Sequence, residues 1–299
     1  MCSSDLRLVR ELAAQLVDSN ETSVELHCAS YDAETALYPV VEALDRYVRL
    51  RSKRSGRERH DEASHWLQTL DLQDDETQAL TSLLGIDPVG VSVGSVDLWR
   101  QRTLRALTAL VRTQCQGRPL LLVVEDLHWA DSTTLEWLGR LMESVRSLPL
   151  MLLLTHRPEF EPGWPVGPHV TVLRLSQLTR EESREFLVNL SAHTNISESA
   201  LESFVDRTDG IPLFIEELAQ NLLGDASIET TAVPETLRDA LTARLDRLGA
   251  DKQVAELAAT VGRRFDRRLL AAAFSDKPTE LESGLTALER SEEHTSELQ

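Results

Sequence analysis

Runs of apolar and polar residues divide this chain into a strand-and-helix part and a helical part. Two continuous apolar runs, residues 119–124 and 150–155, predict strands that are buried on both faces. Shorter apolar runs at residues 23–30 and 170–175 predict two further strands. Helical periodicity fills the intervals, which favours an α/β fold with a parallel sheet covered on both sides. An all-helical region follows, with a boundary near Leu178.

Helical spacing of apolar residues is clearest in the segments around the predicted strands. It predicts helices at residues 7–17, 38–50, 98–112 and 132–147, with Asp131 or Ser132 as the N-cap of the last one. In the helical region, the pattern breaks near His193, at residues 210–212 and at residues 226–234. A further amphipathic helix is predicted at residues 234–248, and a helix, a turn and a second helix at residues 255–274.

Charge, cysteine content and the length of apolar runs limit the possible functions and the cellular location of this protein. The chain carries 31 basic and 49 acidic residues, a formal net charge of −18, which argues against a surface devoted to nucleic acid. Cys2, Cys28 and Cys115 lack metal-type spacing and favour reduced thiols in a cytosolic protein. No apolar run is long enough for a membrane span, so the sequence predicts a cytoplasmic protein.

The two ends of the chain share an unusual relationship. Residues 290–299 can be encoded by a DNA string whose reverse complement, read from a GTG start, encodes residues 1–6. That string resembles a sequencing adapter, and two unrelated protein ends have no reason to be reverse complements. We therefore expect both ends to be artificial and the native segment to run over residues 7–289.

Two acidic residues end the most apolar strand. Glu125 and Asp126 follow residues 119–124, and ligands of parallel sheets bind at the carboxyl edge of the strands. Carboxylates at that place suit a Walker B site, where one acid holds Mg²⁺ and another polarises the attacking water. A strand that ends in a solvated acidic turn accounts equally well for the two acids alone.

Three longer motifs carry a resemblance to a known family. EDLHWADSTTLEWL at residues 125–138, LMLLLTHRPEF at residues 150–160 and RTDGIPLFIEEL at residues 207–218 occur in that order. Together they resemble the ATPase modules attached to bacterial nucleotide cyclases and to large LuxR-type regulators. These modules belong to the STAND branch of AAA-like P-loop ATPases, and the resemblance covers residues 7–289.

The resemblance implies roles for five residues, with ATP and Mg²⁺ as cofactors. Glu125 and Asp126 would be the Walker B acids, and Arg157 would be the sensor that contacts the γ-phosphate. Gly210 and Pro212 would belong to the helical lid, with Pro212 packed on adenine. The alternatives are a surface arginine before a turn-forming proline for Arg157, and ordinary helix-start residues for Gly210 and Pro212.

The same resemblance implies a division into domains. Residues 7–178 would be a P-loop α/β domain, residues 179–232 a helical lid and residues 233–289 a winged-helix-like domain. An arginine cluster in the last of these suggests DNA binding at first sight: Arg263, Arg264, Arg267 and Arg268. A solvated face is the better explanation because Asp266 interrupts the cluster, so we expect no direct contact with nucleic acid.

The phosphate-binding loop of such ATPases is absent from this sequence. No G-x-x-x-x-G-K-[ST] motif occurs, and by resemblance it would lie directly before Arg7, after a strand interior to a sheet of order 5-1-4-3-2. We therefore expect the chain by itself to bind ATP poorly. We also expect it to be unstable or to aggregate, because two strands would lack a neighbour.

The sequence thus favours a fragment of an ATP-driven regulatory switch whose isolated form is inactive as an ATPase. Its expected partners are ATP and a fused or associated effector, either a cyclase or a helix-turn-helix domain, in a nucleotide-dependent oligomer and without a membrane. Two alternatives stay open: a non-catalytic scaffold with a degenerate nucleotide site, and a DNA-binding transcriptional regulator.

Overall fold

The computed structural model describes most of the chain as two separate units. It describes residues 8–9, 11–12, 22–51, 57–86, 95–165, 167–190, 197–224, 236–261, 267–274, 279–286 and 288. The first unit extends to Arg174 and the second begins at Leu175. The predicted ends at residues 1–6 and 290–299 lie outside the described residues, as do most positions of the helix predicted at residues 7–17.

A three-stranded parallel sheet forms the centre of the first unit. Its strands are β1 (Thr22–His27), β2 (Leu120–Glu125) and β3 (Leu150–Leu154), in the order β1-β2-β3. Every residue of β2 is buried, as expected of a continuous aliphatic run in an interior strand. The register pairs His27 with Glu125 and Val124 with Leu154, so the carboxyl ends of all three strands meet at one edge. Three of the four predicted strands are confirmed.

Helices connect these strands, as parallel pairing requires. They are α1 (Tyr38–Arg51), α2 (Arg57–Thr69), α3 (Asp74–Leu83), α4 (Val96–Gln114) and α5 (Ser132–Ser144). Ser95 caps α4 and Asp131 caps α5, each through its side-chain oxygen. The predicted helices at residues 38–50, 98–112 and 132–147 are therefore confirmed within a few residues.

The main core of the first unit lies on one side of the sheet, called the first face here. Leu26, Leu122 and Val124 point to this side and pack with buried residues of the helices, including Leu104 of α4 and Leu138 of α5. The opposite side, called the second face, carries a smaller cluster. In the described part of the chain, that cluster consists of Val9, Leu121, Val123 and Leu153.

The strand predicted at residues 170–175 is absent, which corrects the sequence analysis. These residues are described and form neither a strand nor a helix. Val172, Leu173 and Leu175 are 57%, 80% and 55% exposed. A strand needs a neighbour to satisfy its backbone groups, and no strand among the described residues pairs with this apolar run.

The second unit is helical in its described residues. It contains α6 (Arg180–Leu190), α7 (Glu198–Thr208), α8 (Pro212–Gly224), α9 (Leu237–Arg247), α10 (Lys252–Val261) and α11 (Arg267–Ala273). The first three pack through a core that includes Leu187, Phe204 and Ile215. A separate small cluster joins Val254 to Leu270 and Leu281.

Some predictions for the second unit stay untested. The helix pair expected at residues 255–274 corresponds to α10 and α11, but no β-wing occurs among the described residues, so a winged-helix domain stays a prediction. Arg263 and Arg264 lie outside the described residues, and the side chains of Arg267 and Arg268 are not described. Across the part of the chain that is described, no helix is long and apolar enough to cross a bilayer.

Candidate functional site

Glu125 and Asp126 lie where β2 reaches the carboxyl edge of the sheet. Glu125 ends the strand and is 6% exposed. Asp126 has φ 59° and ψ 40°, a left-handed conformation that is uncommon for residues other than glycine. This turn stops the strand and starts the short 3₁₀ helix Leu127–Trp129. Left-handed non-glycine residues are concentrated at functional sites, so the turn supports a chemical role for this edge.

The end of β3 is tied directly to the acidic turn. The Asp126 N–H donates to the Thr155 hydroxyl at 3.2 Å, and the Leu127 N–H donates to the Thr155 carbonyl at 2.9 Å. The Thr155 N–H in turn donates to the Val124 carbonyl at 2.9 Å. These bonds hold Thr155 beside the backbone of the acidic turn, and the predicted role of Arg157, two residues further on, stays a prediction.

His27, at the end of β1, contacts the buried acid. Its Nδ1 lies 2.7 Å from Oε2 of Glu125, whose side chain is 8% exposed. Its Nε2 lies 3.7 Å from Glu25 Oε2 on the same strand. The imidazole therefore orients one oxygen of Glu125. Sequence reasoning missed His27, although a polar residue that ends a strand beside the acidic strand was a usable signal.

Arg157 places a positively charged side chain near this edge. Its guanidinium carbon lies 5.8 Å from the centroid of the Trp129 ring, a cation–π distance. The Arg157 side chain is exposed, and it forms no ion pair with any carboxylate that the structure describes. The tryptophan thus holds a positive charge close to the acidic turn. This contact gives Trp129 a positioning role that the sequence analysis did not assign.

His128 is the least satisfied polar side chain of the site. It is 8% exposed, and its Nδ1 lies 3.9 Å from Asp126 Oδ1. Neither of its ring nitrogens has a hydrogen-bond partner among the described residues. Burial lowers the pKa of His128, and the nearby Arg157 charge lowers it further, against the opposing effect of Asp126. The ring is therefore kept neutral beside the acids.

Asp131 has a structural role instead. Its Oδ1 accepts from the N–H groups of Thr133 and Thr134 at 2.9 Å, which caps α5. Its Oδ2 accepts from the Thr134 hydroxyl and from the Leu37 N–H, at 3.1 Å from the latter. Leu37 has φ 58° and is buried, so this carboxylate fixes a strained turn. Asp131 is thus occupied by the fold, while Glu125 and Asp126 face the edge.

The donor set at the edge suits Mg²⁺. This ion prefers oxygen ligands and takes one or two carboxylates together with waters and phosphate oxygens. Glu125 and Asp126 would supply the carboxylates, and the Thr155 hydroxyl accepts from the Asp126 backbone N–H. No group of three or more His, Cys, Asp or Glu residues able to hold a metal alone occurs among the described residues. The edge therefore fits an ion shared with a substrate and not a closed metal cage.

Gly210 and Pro212 lie in the second unit, at the turn between α7 and α8. Gly210 has φ +68°, and a Cβ there would lie 2.1 Å from the Leu178 carbonyl oxygen. The Leu178 N–H donates to the Gly210 carbonyl at 2.9 Å. Only glycine fits so close a backbone contact. Pro212 is buried at the first position of α8. Their predicted contacts with nucleotide stay predictions.

Comparisons with known proteins bear on the first unit. Residues 7–154 match the family described as AAA ATPase domain. An uncharacterised protein of Rhizobium meliloti (strain 1021) is 29% identical over 189 residues, which is 59% of this chain. The chain spans 18% of that relative's length. No solved structure matches. The family match, together with the parallel sheet and its acidic carboxyl edge, supports an AAA-like P-loop ATPase module over residues 7–154.

Proposed function

We propose that this chain is part of an ATP-dependent regulatory switch, and that its carboxyl edge meets the phosphates of Mg·ATP. The observation that carries the proposal is that Thr155, two residues before Arg157, ties the end of β3 to the backbone of the turn that carries Asp126. Three hydrogen bonds through Thr155 hold the two strand ends together, and Trp129 holds the arginine. Acids and a cation side by side suit a phosphoanhydride with its metal ion.

The two acids divide the tasks of metal binding and water activation. In hydrolysis, a water oxygen bonds to the γ-phosphorus while the bond to the bridging oxygen breaks, and a carboxylate accepts the proton that the water releases. Glu125 is buried, and its Oε2 is held by His27 Nδ1 at 2.7 Å. Asp126 is set by its own turn. Such preorganised groups avoid reorientation during the reaction.

Arg157 would stabilise the charge that develops on the transferred phosphoryl group. A guanidinium is permanently charged and presents several donors to phosphate oxygens. Because no described carboxylate neutralises Arg157, its charge is available to an anionic ligand. The neutral His128 beside it avoids a competing cation, since burial lowers the pKa of that ring.

The regulatory part of the proposal concerns the second unit and a larger parent protein. The helices over residues 179–232 would act as a lid, and nucleotide would select between two arrangements of the lid and the following helical domain. A chain that spans 18% of its relative leaves room for an effector, and we propose a cyclase or a helix-turn-helix domain.

A non-catalytic nucleotide-binding scaffold is the second candidate. One observation favours it: the 299 residues contain no G-x-x-x-x-G-K-[ST], the loop that supplies most of the phosphate contacts in ATPases. A DNA-binding regulator has no comparable support in the described residues. The switch would hydrolyse ATP, whereas a scaffold with a degenerate nucleotide site would not.

The test uses the chain extended by the strand and G-x-x-x-x-G-K-[ST] loop that we propose precede Arg7. We expect Mg·ATP hydrolysis, and Glu125→Gln should lower kcat by about 100-fold or more, since one of the two tasks then lacks its carboxylate. Glu136→Gln is the matched control, because Glu136 lies on the surface of α5 and pairs with Arg100 and Arg140. Tight ATP binding without turnover in the unmodified protein would favour the scaffold.

A further inference from the structure

A cavity of about 340 Å³ lies between the first face of the sheet and the helices that cover it. It is bounded by residues 22–26 of β1, by the amino-terminal part of β2 and by helices α1, α2, α4 and α5. Its wall is mainly aliphatic and aromatic, and representative lining residues are Val24, Leu44, Trp66, Leu110, Leu122 and Trp137. Such a volume lies at the lower end of the range of small-molecule sites, about 300–1,000 Å³.

The cavity is separate from the proposed ATP site. The acids Glu125 and Asp126 lie at the carboxyl edge and do not line it. The cavity instead reaches Thr22 at the start of β1, Leu120 at the start of β2 and Gln114 at the end of α4. A ligand there would therefore leave the nucleotide edge free.

The cavity wall includes a tryptophan with a buried donor. Trp137 on α5 is 3% exposed, and its indole Nε1–H has no hydrogen-bond partner among the described residues. Buried tryptophan N–H groups normally find an acceptor, because an unpaired buried donor costs free energy. The donor and the cavity occur at the same place, so an acceptor inside the cavity would satisfy the indole.

The polarity of the cavity wall indicates which kind of molecule would carry that acceptor. Protein interiors are close-packed, and a void of this size leaves many wall atoms without contacts. Ordered water needs about two to four polar partners each, which a mainly apolar wall does not provide for a cluster that fills the cavity. An apolar body with one acceptor matches both the wall and the indole.

We propose that this cavity binds a small, uncharged, predominantly apolar molecule whose hydrogen-bond acceptor, such as a carbonyl oxygen, takes the Trp137 Nε1–H. An uncharged ligand fits because the lining residues include one acid, Glu25, and one base, Arg46, so their formal charges sum to zero. The Arg46 guanidinium already donates to the Glu25 carbonyl at 3.4 Å. The site is independent of the proposed ATPase function.

The test compares two probes that differ in the acceptor alone. 2-Acetylnaphthalene carries a carbonyl group where 2-isopropenylnaphthalene carries a carbon–carbon double bond of similar shape. Both are titrated into the full chain, at a concentration at which it is monomeric, with binding followed by calorimetry and by the indole N–H signals in NMR. We expect the ketone to bind about fivefold more tightly and to move the Trp137 N–H signal downfield.

Two variants isolate the site. Trp137→Phe keeps an aromatic ring and removes the donor, so the preference for the ketone should vanish. Ala43→Phe places a ring in the cavity wall and should weaken both probes by at least tenfold. Trp99→Phe is the control, because Trp99 lies on α4 outside the cavity lining. Equal binding of the two probes, no binding at millimolar concentration, or unaltered binding by Ala43→Phe would each overturn the proposal.

Discussion

The two faces of the sheet differ in how the described chain covers them. On the first face, helices α1 to α5 bury one continuous core around Leu26, Leu122 and Val124. On the second face, the described cluster is limited to Val9, Leu121, Val123 and Leu153, and Met151 is 45% exposed. Both faces carry aliphatic residues, so hydrophobic sequence alone does not tell which face has its covering elements.

Packing on the first face stabilises the sheet, whereas the proposed chemistry belongs to the carboxyl edge. The first face supplies the packing that fixes β1, β2 and β3 in register. The carboxyl edge, where the strands end, carries the polar groups His27, Glu125 and Thr155. A rigid sheet that is held from one side can therefore present an ordered acidic edge.

The largest effect should come from truncating the first-face core. Leu122→Ala removes a side chain that is 2% exposed, and we expect it to lower the free energy of unfolding by about 2–5 kcal/mol. Met151→Ala, on the second face of β3, should cost less than about 1 kcal/mol because Met151 is 45% exposed. Urea unfolding followed by circular dichroism measures both. Equal losses would show that the faces are covered alike.

The next effect concerns the anchor between α5 and the first-face core. Asp131→Ala removes the cap of α5 and leaves the buried Leu37 N–H without its acceptor, so we expect a loss of roughly 2–3 kcal/mol. Ser95→Ala, which removes the exposed cap of α4, should cost about 1 kcal/mol or less. Thermal unfolding of the two variants provides the comparison, and a smaller loss for Asp131→Ala would contradict the anchoring role.

Cys28 tests how completely the first-face core excludes water near the edge. Burial raises the pKa of its thiol from 9.0 to about 12, and the charges of Asp131 and Asp126 contribute. The folded protein therefore keeps the proton that the unfolded chain loses above pH 9. This contribution to stability is fully present below pH 9 and is lost as the pH rises toward 12.

Two measurements follow from this pKa. Between pH 8 and pH 10, the free energy of unfolding of the unmodified chain should fall by roughly 1 kcal/mol more than that of Cys28→Ala. Iodoacetamide at pH 8 should modify Cys28 at least about 100-fold more slowly in the native chain than in urea, since the thiolate is the reactive form. Fast native modification would mean that the thiol is accessible.

The smallest effect on stability is expected at the unpaired apolar run. Leu173 is 80% exposed, so Leu173→Lys should change the free energy of unfolding by no more than about 0.5 kcal/mol. The same change should reduce the self-association that we expect of the isolated chain, because exposed apolar segments favour aggregation. Sedimentation velocity reads the association state. If the unmodified chain is monomeric, the expectation that it self-associates is wrong.

Sequence reasoning worked best where one local pattern determined one element. The aliphatic run before Glu125 could only be a buried interior strand, and the spacing after Asp131 defined α5 and its cap. The reasoning failed at residues 170–175, whose apolar pattern is that of a strand. Pairing depends on a partner elsewhere in the chain, and such information is not present in the run itself.

The candidate site was predicted in part for the same reason. Glu125, Asp126 and Arg157 could be identified from the sequence because each lies at or just after the end of a recognisable strand. His27 and Trp129 acquire their contacts from the parallel order of β1 and β2 and from the path of the chain after β3, which sequence spacing does not specify. The cavity beside Trp137 is a property of packing among several helices and had no local signal.

The central claim is that the carboxyl edge of this sheet hydrolyses ATP. The most direct measurement is single-turnover hydrolysis of Mg·ATP by the chain extended by the proposed strand and phosphate-binding loop before Arg7, compared with its Asp126→Asn variant. We predict that the variant binds ATP within a few-fold of the unmodified protein and hydrolyses it at least about 100-fold more slowly. Equal rates of hydrolysis in the two proteins would contradict the account.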